Sequence, residues 1–212
     1  MANIYNTSKV DHHKITIDEE TFIKDVDVRY SLTIPFLNRI EGHSVGIVLM
    51  NPSRANLEKS DGTVNKLIDF FYDFQLDESY VKDITICNIL PVYASNTTSV
   101  LAKIRDLHKE SMLEKVQKLN ENKLAITMKE KRFVVLAWGK PEVKTISNLF
   151  YYKEVLRITD LLSITHKDDL YILDIKNANN RFTEHGDPRH AGRAVALKGL
   201  KKVYMSELFG LS

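Results

Sequence analysis

A chain of 212 residues with 43% hydrophobic and 27% charged residues is long enough to bury one good-sized core and need not divide into two domains. Its net charge of +2 says nothing for or against a nucleic-acid partner, and one Cys excludes an internal disulfide framework. No apolar run approaches the roughly 20 residues that cross a bilayer and the N-terminus lacks a signal-like segment, so no membrane contact is expected and the expected compartment is the cytoplasm.

Residues 1–24 are polar and without a clear period, and are read as an N-terminal segment ahead of one α/β domain over 25–212. The first legible strand is 25–36, with apolar residues at Val26, Val28, Tyr30, Leu32, Ile34 and Phe36. That period of two predicts one wet face and an edge position beside the next strand, and Pro35 fits an edge. Residues 45–50 are a short unalternating apolar run, the pattern of a central parallel strand buried on both faces. Pro52 stops it, having no N–H and biasing Asn51 away from helix. Asn51 then offers an amide and Ser53 a hydroxyl beyond the strand's carboxyl end, where open α/β sheets bind small ligands.

Val64, Leu67, Ile68, Phe71 and Phe74 predict a helix over 64–74, with Ser60, Asp61 or Thr63 as its cap. A second parallel strand at 83–90 contains Cys87, read as a reduced core residue, and Asn88 near its end; Pro91 closes it. The strand–helix–strand order implies a right-handed crossover. After a loop at 92–99 come helices at 100–107 and 111–128, the latter inward at Met112, Val116 and Leu119. A third buried strand at 133–137 ends at Trp138-Gly139, a large flat ring beside a residue without a Cβ. A helix opening at Pro141 runs to about 157, inward at Val143, Ile146, Leu149, Phe150 and Leu156. Short strands are read at 161–164, 170–175 and 203–205, and a helix start at 194–197.

The stretch 177–193 is polar, with three Arg, two His, two Gly and one Pro in 17 residues. His190 and Arg193, three apart at a helix start, face one side. Seven Lys/Arg against Glu184 and Asp187 over 176–202 permit a phosphate-facing surface, whereas nine against five acids over 103–132 read as a solvated helix face.

These elements predict a three-layer αβα domain with a central, mostly parallel sheet, whose strand ends at Asn51, Asn88 and Trp138 share one edge. Amides, a hydroxyl, an indole, an imidazole and guanidinium groups suit a nucleobase or nucleotide: Asn pairs with base edges, an aromatic stacks, and basic groups hold phosphate. P-loop, dinucleotide, zincin and α/β-hydrolase motifs are absent, and no metal or cofactor is called for.

The pieces at 29–32, 48–53, 61–63, 88–91, 137–139 and 186–190 resemble DUF1643, a bacterial and phage family of unknown function, over about residues 29–205. Arg54 and Gly62 stand where its members more often carry Thr and Pro, and Asp187 where a His is common, which leaves His190 as the functional imidazole. More remotely, the order resembles the uracil-DNA glycosylase superfamily, which implies that fold. It also implies roles: Asn51 positioning a water against C1′, Asn88 reading a base and His190 stabilising charge on the departing base. Ser53 and Trp138 would line the same pocket, and Arg189 and Arg193 would neutralise phosphates. Two functions stay open: a nucleobase- or nucleotide-directed enzyme cleaving an N-glycosidic bond, and a non-catalytic module binding nucleic acid, a nucleotide or a protein.

Overall fold

The computed structural model describes residues 3–94, 97–141, 148–178 and 180–210. In chain order its strands are β1 (Asn3–Ile4), β2 (Thr16–Ile23), β3 (Val26–Pro35), β4 (His43–Leu49), β5 (Lys59–Ser60), β6 (Gln75–Leu76), β7 (Ser79–Asn88), β8 (Phe133–Leu136), β9 (Leu170–Ile175) and β10 (Leu197–Lys202). The helices are α1 (Gly62–Asp73), α2 (Thr97–Lys109), α3 (Leu113–Lys129) and α4 (Asn148–Thr165). One mixed sheet runs in the order β10-β9-β8-β4-β7-β3-β2, with β6 added to β7, while β1 and β5 pair separately.

The three strands read as central are parallel neighbours, Val45 pairing with Ile84 on one side and Phe133 on the other. Parallel pairing extends to β9, but β10, β3 and β2 join antiparallel. The sheet is therefore mixed rather than mostly parallel. Its antiparallel outer strands carry polar faces, as in Thr16–Ile23 with Asp18, Glu19 and Glu20, where charge protects an edge from further pairing. That charge also hides β2 from a reading by apolar period. With β2 in place, β3 is not an edge, and it pairs with β7 instead of the central strand.

Two cores follow from strand alternation. Val45, Ile47 and Leu49 point to the face covered by Val64, Leu67, Ile68 and Phe71 of α1. Val48, Cys87, Val134 and Leu136 point to the other, under Val100 and Leu107 of α2, Val116, Leu124 and Met128 of α3, and Val155, Ile158 and Leu162 of α4. Gly46 lets α3 approach, because a Cβ there would strike Met128 Sδ. Burial pushes the free Cys87 thiol up to about 12, consistent with an inert core residue.

The C-terminal third departs most from expectation. Residues 161–164 are the last turns of α4 and not a strand, since four apolar-rich residues suit either state and here continue the stripe Tyr151, Val155, Ile158, Leu162. That stripe leaves Leu149 and Leu156 84% and 55% exposed, although both were expected inward. The expected helix opening, with Val143 and Ile146, lies outside the described residues. No helix starts at 194–197: Leu197 begins β10, and Val203 to Met205 lie beyond the strand's end. No helix among the described residues is long and apolar enough to cross a membrane.

Candidate functional site

Beyond β4 and β7 the two chains stay together, Ile89 and Leu90 N–H donating to Leu49 and Met50 carbonyls at 2.9 and 2.8 Å. Ala137 N–H likewise reaches Val48 O at 2.9 Å. The three strand ends thus emerge side by side, and those of β4 and β8 border a cleft of about 420 Å³. Asn51, Ser53, Trp138, His190 and Arg193 line it, together with Arg29, Thr63 and Lys140.

The Asn51 amide is held by its nitrogen, which donates to Pro52 O at 3.0 Å and Ala94 O at 3.3 Å. Only an NH₂ can meet two carbonyls, so the orientation is forced and Oδ1 is left as an acceptor. Ser53 is committed: its hydroxyl donates in a short hydrogen bond to Asp61 Oδ2. Asp61 is also the cap of α1, its Oδ1 accepting from Thr63 and Val64 N–H at 2.8 and 2.9 Å. The loop after β4 is thereby tied to the start of α1, and the positive end of that helix already has its carboxylate.

Opposite stands the 186–190 loop, which the Trp138-Gly139 strand end holds. Trp138 is fully buried behind the cleft, and its Nε1 donates to Asp187 Oδ1 at 3.4 Å. Tyr152 OH donates to Asp187 Oδ2 at 2.8 Å, and Gly139 N–H to Pro188 O at 2.9 Å. Burial raises the Asp187 carboxyl above the usual carboxylate range, and the hydrogen bonds from Tyr152 and Trp138 pull it partly back. Gly139 has φ +70°, and a Cβ there would lie 2.8 Å from the His190 Cβ, so the close approach requires glycine.

His190 accepts a hydrogen bond from Gly192 N–H at its Nδ1, 3.0 Å away, as the cap of the short 3-10 turn Ala191–Arg193. An accepting Nδ1 places the proton on Nε2. Burial, with Arg193 adding repulsion, lowers its pKa to about 4, so the ring is a neutral N–H donor at physiological pH. Lys66 steadies the same turn, its Nζ reaching Gly192 O at 3.0 Å and Ala194 O at 2.8 Å.

Two expected residues stand elsewhere. Asn88 is fully buried beneath the cleft and is not among its lining. Its carbonyl accepts from Asn120 Nδ2 at 3.0 Å, and its own Nδ2 has no hydrogen-bond partner. Arg189 donates from Nε to Asn180 O at 2.9 Å and lines a neighbouring cleft, also about 420 Å³, which shares Lys140, His190 and Arg193 with the first. A third cavity of about 640 Å³ meets the site at Ser53 and Ala94 and is acidic, with Glu19, Glu20 and Asp27. Among the described residues no cluster of His, Cys, Asp or Glu has metal-site spacing.

Arg29 is the residue that the apolar period conceals. Alternation with Val28 and Tyr30 assigns it to a wet face, yet it is 1% exposed. It sits where the β3–β7 ladder is interrupted, between the pair Leu32–Ile86 and the isolated bridge Val28–Val92. Nη1 donates to Ala55 O at 2.7 Å, Nη2 to Asn88 Oδ1 at 3.4 Å, and Nε has no partner. Burial lowers its proton affinity, but a guanidinium stays charged.

Residues 29–190 match the model of a family described as a protein of unknown function, DUF1643. No curated protein and no solved structure matches the chain.

Proposed function

The chain belongs to the DUF1643 family, and we propose that it acts on a nucleobase or nucleotide by hydrolysing an N-glycosidic bond, on a fold of the uracil-DNA glycosylase kind. The observation that carries this reading is that Asn51, whose Oδ1 is left as an acceptor, and His190, whose Nε2 carries the proton, line the same cleft. Asn51 would orient a water toward C1′ without deprotonating it, since an amide is not a base at neutral pH. As the C1′–N bond breaks, the bonding pair leaves with the base and His190 Nε2–H would donate a hydrogen bond to the oxygen on which negative charge gathers; the water's oxygen bonds to C1′ and its proton passes through solvent to the base anion, giving free base and the sugar hydroxyl. A neutral imidazole suits that task, because it need not surrender its proton. The cleft's volume falls within the range usual for small-ligand sites.

One observation favours the second reading, a non-catalytic nucleic-acid-, nucleotide- or protein-binding module. Among the described residues the cleft lining contains no Asp or Glu that could serve as a general base. A panel of modified single- and double-stranded DNAs, nucleosides and nucleotides, scored for free base, separates the two. The enzyme releases base from at least one of them, and Asn51→Ala abolishes release while binding stays within a few-fold, because its contact is to the attacking water. Binding without release by the parent protein returns the module.

A further inference from the structure

Arg29 is a buried cation without a counter-charge paired to it among the described residues. A buried arginine is ordinarily paired with a carboxylate and fully hydrogen-bonded. Arg29 forms no ion pair with any Asp or Glu among the described residues; its polar partners are the neutral Ala55 carbonyl, at 3.4 Å the neutral Asn88 amide oxygen, and the neutral Tyr93 hydroxyl. Its guanidinium also lies 5.4 Å from the centre of the Tyr93 ring. Asp61, the acid whose field reaches it, is already occupied by Ser53 and two N–H groups of α1.

Two donors, Arg29 Nε and Asn88 Nδ2, are buried here without acceptors. Arg29 contributes to the lining of the cleft, beside Arg193 and Lys140, the latter ion-paired with Glu184. Buried unpaired donors around a cation, opening on a cavity, describe a seat for an anion. We propose that the cleft takes its ligand through an anionic group, a terminal phosphate monoester, held by the Arg29 guanidinium. This rests on the nucleotide reading above and names the phosphate seat within it.

The burial of Arg29 selects a terminal phosphate. A phosphodiester within a strand continues on both sides, and a guanidinium 1% exposed in a cleft of about 420 Å³ leaves no passage for two continuations. A monoester has one. The seat therefore differs from the surface role expected of Arg189, which turns to Asn180.

The test is calorimetric titration and thermal shift of the full chain at constant ionic strength. Its probes are inorganic phosphate, the four deoxynucleoside 5′-monophosphates, their nucleosides, and one oligonucleotide with a 5′-phosphate or a 5′-hydroxyl. At least one monophosphate should bind about tenfold or more tightly than its nucleoside, the minimum expected for one buried charge-assisted contact. Asn88→Asp sets a carboxylate against Nη2 and supplies the counter-ion internally; the unliganded melting temperature should rise and the phosphate-induced shift should vanish. Arg29→Met should lose the same shift, and should it fail to fold, the parent protein and Asn88→Asp still decide. Preference for the 5′-phosphorylated oligonucleotide over the monophosphate would identify a strand end as the source, and the reverse a free nucleotide; both agree with the seat. Monophosphate and nucleoside binding equally, no binding by any phosphate, or an unchanged shift in Asn88→Asp would overturn it. Phosphate binding without base release defeats the hydrolase and spares the seat; release without phosphate preference does the opposite.

Discussion

His190 gives the site its pH signature. In the unfolded chain its imidazole titrates near the ordinary value of 6.5, and in the fold near about 4. Between those values the unfolded state binds more protons, so stability rises with pH there. The contribution is fully present above 6.5 and is lost as pH falls through 4, on the order of 3 kcal/mol in all. Replacing His190 with Gln should flatten that part of a stability-versus-pH curve measured by chemical denaturation. If His190 acts as a neutral donor, the base-release profile of the parent should also show no loss attributable to it near 6.5, its limb falling instead toward 4. At the same scale, Asn51 was legible because a polar residue before Pro at a strand end advertises itself. Arg29 was not, because an arginine in an alternating strand reads as the wet face, and only the neighbouring strand and loop decide whether that face is wet.

The 186–190 loop is positioned by the elements beneath it. Asp187 accepts from Trp138 Nε1 and Tyr152 OH, so Asp187→Ala removes the acceptor of the buried indole N–H and one hydrogen bond of the half-buried Tyr152, and should cost about 1–3 kcal/mol of stability. Trp138 is the chain's one tryptophan, and its fluorescence should shift to the red if the loop lifts. Helix α4 offers a separate check of register. Leu149→Lys and Leu156→Lys should change stability by no more than about 0.5 kcal/mol, whereas Leu162→Ala should cost about 2–5 kcal/mol. Equal costs at all three positions would return the inward face expected from sequence. That expectation fails for a physical reason: in a helix with apolar residues on several sides, the buried stripe is chosen by the facing sheet and α3.

Across the whole molecule the charge pattern separates a polymer ligand from a small one. Duplex DNA held by Arg189, Arg193 and Lys140 on the surface should lose affinity with a log–log salt slope of about 0.9 per neutralised phosphate. A monophosphate seated on buried Arg29 is screened less, and its slope between about 50 and 200 mM salt should stay near 1 or below. Arg189→Ala should then leave monophosphate binding within about twofold. Titrations across that salt range measure both.

Sequence alone determined the three parallel strands, the helix between the first two with Asp61 as one of its three candidate caps, and the meeting of Asn51 with the 186–190 loop. Those follow from local rules: unbroken apolar runs, proline stops, a capping carboxylate, and the shared carboxyl edge of parallel strands. Tertiary structure decided the rest. It recruited the acidic Thr16–Ile23 as an outer strand, turned β10 antiparallel, extended α4 through 161–164, and sank Asn88 below the cleft. Above all it buried Arg29 without an ion pair among the described residues. Each of these depends on what lies across from a residue in space, and a one-dimensional period records the spacing of apolar side chains but not their partners.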